Sequence, residues 1–86
     1  MKRGAALARR SDWEVAVRIW EQVVREKPDN SAPYYNLGVA QEGLGDLEGF
    51  MAARDLYQKA AALGENDLYA EGIKRVDRAI HGHRNY

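Results

Sequence analysis

Residues 33–46 read PYYNLGVAQEGLGD. The apolar spacing is that of a helix, yet Gly38 stands in its middle and Gly43 and Gly45 crowd its end. A glycine inside a helix costs about 1 kcal/mol relative to alanine, so tight packing must offset it. Tyr34, Leu37, Val39 or Ala40, and Leu44 mark the buried face, and Asn30 or Ser31 caps the start, with Pro33 tolerated in the first turn. Gly43 and Gly45 end the segment.

On either side lie two related segments, SDWEVAVRIWEQVVREKPDN (11–30) and GDLEGFMAARDLYQKAAALGEND (45–67). Ser11-Asp12 matches Gly45-Asp46, while Ala16, Trp20 and Val23 match Ala53, Tyr57 and Ala60 at a separation three residues larger. In the first segment Trp13, Ala16, Val17, Trp20, Val23 and Val24 form one helical face. Asp12 serves as its cap, and Lys27-Pro28-Asp29-Asn30 ends it. In the second, Asp46 caps a face of Leu47, Phe50, Ala53, Tyr57, Ala60 and Ala61. The three extra residues, within Leu47–Ala52, predict a helix about one turn longer than its counterpart, with Gly49 as a weak point. Asn66 or Asp67 begins a last helix with Leu68, Ile73, Val76, Ala79 and Ile80 apolar, and a short opening helix over about residues 3–9 presents Ala5, Leu7 and Ala8. No segment alternates as a strand does. The expectation is all-α, five helices with consecutive ones antiparallel because their turns are short.

The unit Tyr34, Leu37-Gly38, Gly45-Asp46, Ala53, Tyr57, Ala60 resembles the tetratricopeptide repeat. Gly4, Leu7, Ser11-Asp12-Trp13, Ala16, Trp20, Val23 and Pro28 carry the resemblance in the first copy. It implies one domain over 1–86: a truncated first repeat (3–30), a second with the three-residue insertion (31–65), a capping helix (66–81) and a tail (82–86). It also implies a short right-handed superhelix in which Trp13, Ala16, Trp20, Leu37, Gly38, Ala53, Tyr57 and Ala60 are packing positions, with Gly38 and Ala53 the small partners at one helix crossing. Three features depart from the family: the first copy lacks its opening turn, the second carries the insertion, and Glu65 stands where proline is usual.

Composition narrows the function classes. The 86 residues carry 13 basic and 13 acidic side chains, which argues against a dedicated nucleic-acid binder. The charge is uneven: basic at residues 1–10 and 74–86, acidic between. With no cysteine there is no disulfide framework or thiolate metal site. No apolar run is long enough to span a membrane, and AALA after Gly4 is too short for a signal-peptide core, so direct membrane insertion is not expected. Ser11 and Ser31 both read as helix caps. His81 and His83 are too few for a structural zinc site, and Glu42, Asp46 and Glu48 read as a cap with surface acids. GLGD lacks the lysine and preceding strand of a phosphate loop. Neither enzymatic activity nor a metal or cofactor is expected.

What is left is surface. In the resembled family, the first helices of the units line a concave groove that takes an extended peptide or a partner's helix. Here that implies Ala32, Tyr35, Asn36, Val39 and Glu42, joined by Tyr69, Gly72 and Val76 of the last helix, with Tyr35 and Tyr69 as anchors. The subclass that grips a C-terminal carboxylate is not matched: only Asn36 fits, with Met1, Ala5, Tyr69 and Ile73 in the other slots. The expected function is a protein-interaction module binding a peptide or partner segment in this groove. The alternative is a structural module, either homo-oligomeric or the C-terminal scaffold of a larger protein. The sequence sets no compartment; repeats of the resembled kind occur in cytosolic and in periplasmic or lipoprotein-attached bacterial proteins.

Overall fold

The structure, a computed structural model, describes residues 9–84 and is all-α. Four helices follow in order: α1 (Arg10–Glu26), α2 (Ser31–Leu44), α3 (Leu47–Leu63) and α4 (Asp67–Arg84). This corrects the expected count of five helices. The expected opening helix lies almost wholly outside the described residues, and Arg9, its last residue, is extended (φ −82°, ψ 158°) as the N-cap of α1.

The start of α1 also differs from the expectation. Asp12 is the third residue of the helix, and its carboxylate accepts from the Arg9 backbone N–H at 3.3 Å. Ser11 lies inside the first turn and caps nothing. As a result α1 and α3 are both 17 residues long, so α3 is no longer than its counterpart. The spacing of Trp20 to Tyr57 therefore holds from the first residue of each helix, whereas Ser11-Asp12 and Gly45-Asp46 occupy different places. Asp46 is the N-cap of α3, accepting from Gly49 N–H at 2.8 Å, and Asn66 does the same for α4 through Leu68 N–H at 2.8 Å. Gly45 closes α2 in the left-handed region (φ 77°), where a side chain would be strained. Gly43 lies within α2, and a Cβ there would collide with the Trp13 ring. Ser31 is in the first turn of α2, and its hydroxyl pairs with Tyr69 Oη at 3.0 Å.

Each helix packs on the next in sequence, α1 on α2, α2 on α3 and α3 on α4. Neighbours are antiparallel: Arg10 at the start of α1 donates to Leu44 O at the end of α2 at 3.0 Å, Gln41 near the end of α2 lies against Gly49 near the start of α3, and Phe50 near the start of α3 packs on His83 near the end of α4. The core centres on Ala53, Tyr57 and Val76, with Tyr35, Val39, Phe50 and Ile73 packed around it. Leu37, Ala40, Ala60, Tyr69 and Ile80 are also buried. No side chain of α1 is fully buried; Trp13, Ala16 and Trp20 are partly covered, and Val15 and Ile19 are 46% and 55% exposed.

The offset for the glycine of α2 comes from Tyr57. A Cβ at Gly38 would fall 2.6 Å from Tyr57 Cε1, and one at Gly72 would fall 2.9 Å from Cδ2 and Cε2 on the other edge of the ring. The nearest side chain to Gly38 is therefore the Tyr57 ring, and α4 supplies a second close-approach glycine, Gly72, which was expected to line the groove. Gly49 is not a weak point either: a Cβ there would meet Gln41 O at 2.5 Å, so the missing side chain lets α3 approach α2.

These contacts give opposite signs to two formally identical changes. Gly38→Ala gains helix propensity but overpacks a fully buried ring, and should cost about 1–2 kcal/mol net. Gly82→Ala, which meets nothing within 4 Å, should stabilise by up to about 1 kcal/mol. Urea unfolding followed by circular dichroism measures both.

Candidate binding groove

Of the expected groove residues, those of α2 keep accessible surface. Tyr35, Asn36, Val39 and Glu42 are partly buried, and Ala32 is exposed. Their spacing keeps them along one side of α2. Tyr35 is held from two sides: its ring centroid lies 5.4 Å from that of Tyr57 and 5.2 Å from that of Tyr69, both tilted.

Those of α4 are placed differently. Tyr69 is 5% exposed, Val76 has no exposed surface, and Gly72 lies against Tyr57. These three form the floor beneath Tyr35 and offer a ligand almost nothing. Leu68, expected to be apolar and inward, is instead 50% exposed. The buried stripe of α4 runs through 69, 72, 76 and 80, one position round from Leu68. Residues 81–84, mostly assigned to a tail, continue α4, and His83 packs its ring 5.6 Å from that of Phe50.

Glu42 has the most elaborate surroundings. Its carboxylate accepts from Tyr57 Oη at 2.6 Å and from Arg75 Nε and Nη2 at 2.5 and 2.9 Å, so one acid of α2 ties α3 to α4. Burial alone would raise its pKa, but the hydrogen bonds from Arg75 and Tyr57, with the Arg75 charge, outweigh that and hold it below the ordinary value of 4.5. Burial, then the hydrogen bond to Glu42, pushes the Tyr57 hydroxyl above its usual range. The hydrogen bond to Glu42 likewise holds Arg75 more firmly protonated. The sequence reading missed Arg75. The available signal was its separation from Glu42, close to one repeat length, which sets them on neighbouring units.

Three helices meet at the Glu42 carboxylate, α2 carrying it and α3 and α4 supplying its donors. The carboxylate is already fully engaged by a cation and a hydroxyl. Among the described residues no three His, Asp or Glu side chains are grouped to hold a metal ion, and no helix is long and apolar enough to cross a membrane. Surface depressions lie elsewhere, one along Asp77, Arg78, His81 and Gly82 and another along Phe50, Ala79, Gly82 and His83.

Fold and groove thus define an all-α protein of serially stacked antiparallel helices with a tyrosine-centred core. The chain belongs to the family described as a domain of unknown function (DUF6340), whose model matches residues 2–80. No curated protein and no solved structure matches it.

The ion pair sets a sign for acid sensitivity. Because folding lowers the Glu42 pKa, its stabilisation is complete above the unfolded value of about 4.5 and is lost as pH falls through the lower folded value. Glu42→Gln should therefore lower stability at neutral pH and make its decline below about pH 4.5 shallower than in the parent. Tyr57→Phe, which removes one donor to Glu42, should cost about 1 kcal/mol near neutrality. Unfolding midpoints measured from pH 3 to pH 7 separate the two variants.

Proposed function

We propose that this domain is a protein-interaction module that binds a peptide or partner segment along α2, beside α4. One observation carries the reading: Tyr35 is fixed between Tyr57 and Tyr69 yet keeps accessible surface beside Asn36 and Val39. A large ring immobilised before binding loses little rotamer freedom when a ligand arrives, which is what a contact anchor requires. The resemblance to tetratricopeptide repeats supports the same side of α2, since in that family the first helix of each unit faces the ligand.

The reading differs from the sequence expectation in its inventory. Tyr35, Asn36 and Val39 supply the contact surface. Tyr69, Gly72 and Val76 support it from below. Glu42 serves chiefly by holding Arg75, whose side chain is 47% exposed and sets a cation at one end of the strip. Leu68 and Glu71 are the exposed side chains through which α4 contributes at the other end.

Selection from a random linear-peptide display library tests this. Peptides enriched on the parent domain should bind Tyr35→Ala at least about tenfold more weakly, the scale of an interface hot spot. Because Tyr35 also touches the core, Asn36→Arg provides the control: it obstructs the strip from a partly exposed position and should abolish capture without lowering the melting temperature. Failure to enrich any peptide, or peptides indifferent to both changes, defeats the proposal.

A further inference from the structure

We propose that the outer face of α1 is a self-association surface on which a second copy of this chain docks antiparallel, across a two-fold axis beside Ile19. The face is apolar and uncovered among the described residues. Val15 and Ile19, one helical turn apart, are about half exposed, and among the described residues α1 packs closely only on α2. Alone, such a strip does not say what covers it. The charges beside it do.

Glu14, Arg18, Glu21 and Arg25 follow at spacings of four, three and four residues and so make one straight stripe along α1, next to the stripe of Val15, Ile19 and Gln22. Their signs alternate: acid, base, acid, base. When two identical helices lie antiparallel, the stripe flanking the contact meets its own copy in reverse order. Reversed, this pattern reads base, acid, base, acid, so every position opposes its complement. Glu14 faces Arg25 of the partner subunit, and Arg18 faces Glu21 of the partner subunit. A pattern complementary to its own reverse is what an isologous two-fold contact uses, in which the same surface serves both copies. The midpoint of the stripe falls between Arg18 and Glu21, level with Ile19, so the apolar strips meet at the axis.

The charges are free to act in this way. Among the described residues, Glu14 pairs with Arg10, while Arg18, Glu21 and Arg25 join no ion pair. Arg25 donates to Gln22 Oε1 at 2.9 Å. With two apolar side chains per copy at its centre, the contact is small, and it is expected to be weak and salt-sensitive.

Sedimentation equilibrium tests the proposal directly. At low salt and concentrations up to about 0.5 mM, a range suited to weak association, the parent chain should dimerise reversibly, and added salt should weaken the dimer. Arg18→Glu sets acid against acid at the axis and Glu21→Arg sets base against base; each should weaken dimerisation at least about tenfold. An equimolar mixture of the two variants restores both oppositions and should associate as a heterodimer. The double variant, again complementary to its own reverse, should recover self-association. A parent chain that stays monomeric throughout overturns the proposal and gives the face to a different occupant. A mixture no more associated than either variant alone also overturns it, because any residual dimer then ignores the charge stripe.

Discussion

The fold depends on one side chain placed between two backbones. The Tyr57 ring projects from α3 with one edge against Gly38 of α2 and the other against Gly72 of α4. Neither neighbour could carry a Cβ without moving the ring or the helix. Complete burial of a ring of this size contributes on the order of 2–3 kcal/mol, but its larger effect is on register. Both flanking helices must present a glycine to the same ring, which fixes their heights along α3. The hydroxyl then needs a partner, since a buried polar group left unpaired is costly. Glu42 supplies it, and Arg75 neutralises Glu42. Steric fit, hydrogen bonding and charge thus converge where three helices meet.

The candidate groove follows from the same centre. Tyr35 stacks on Tyr57 and on Tyr69, and Tyr69 is anchored through its hydroxyl to Ser31 on the opposite helix. The aromatic cluster therefore has a buried layer, Tyr57 and Tyr69, and one member that reaches the surface. The surface proposed for binding is thus part of the core rather than an addition to it. Changes there have to be judged against folding controls, because Tyr35, the proposed contact residue, also stacks on the buried rings.

Much of this was readable from residue order alone. The all-α class, the segments of α2 and α3, Asp46 as a cap, and Leu37, Ala53, Tyr57 and Ala60 as packing positions follow from three- and four-residue spacing and from turn chemistry. The misreadings have physical causes. Gly72 lies on the buried stripe of α4 but has no side chain, so it leaves a gap in the hydropathic pattern, and Leu68 took the place that belongs to Tyr69. Tyr69 itself reads equally well as a surface anchor or as a core ring, and only the Ser31 hydroxyl across from it distinguishes the two. The beginning of α1 was obscured because arginine at position 9 is no cap by type. The usable signal was Asp12, an acid at the third helical position reaching back to the N–H three residues before it. The Glu42–Arg75 pair joins residues far apart in sequence, and no local pattern announces it.

Serial stacking also implies uneven cooperativity. Among the described residues α1 packs closely only on α2 and holds no fully buried side chain, whereas α2, α3 and α4 share the Tyr57 centre. Detaching α1 uncovers the Trp13–Gly43 contact but leaves that centre whole. Amide protons of α1 therefore exchange with solvent through a sub-global opening of lower free energy than the one that frees the amides around Tyr57. The molecule loosens from its first helix inward, and the last protons to exchange are those of the segments that meet at the tyrosine.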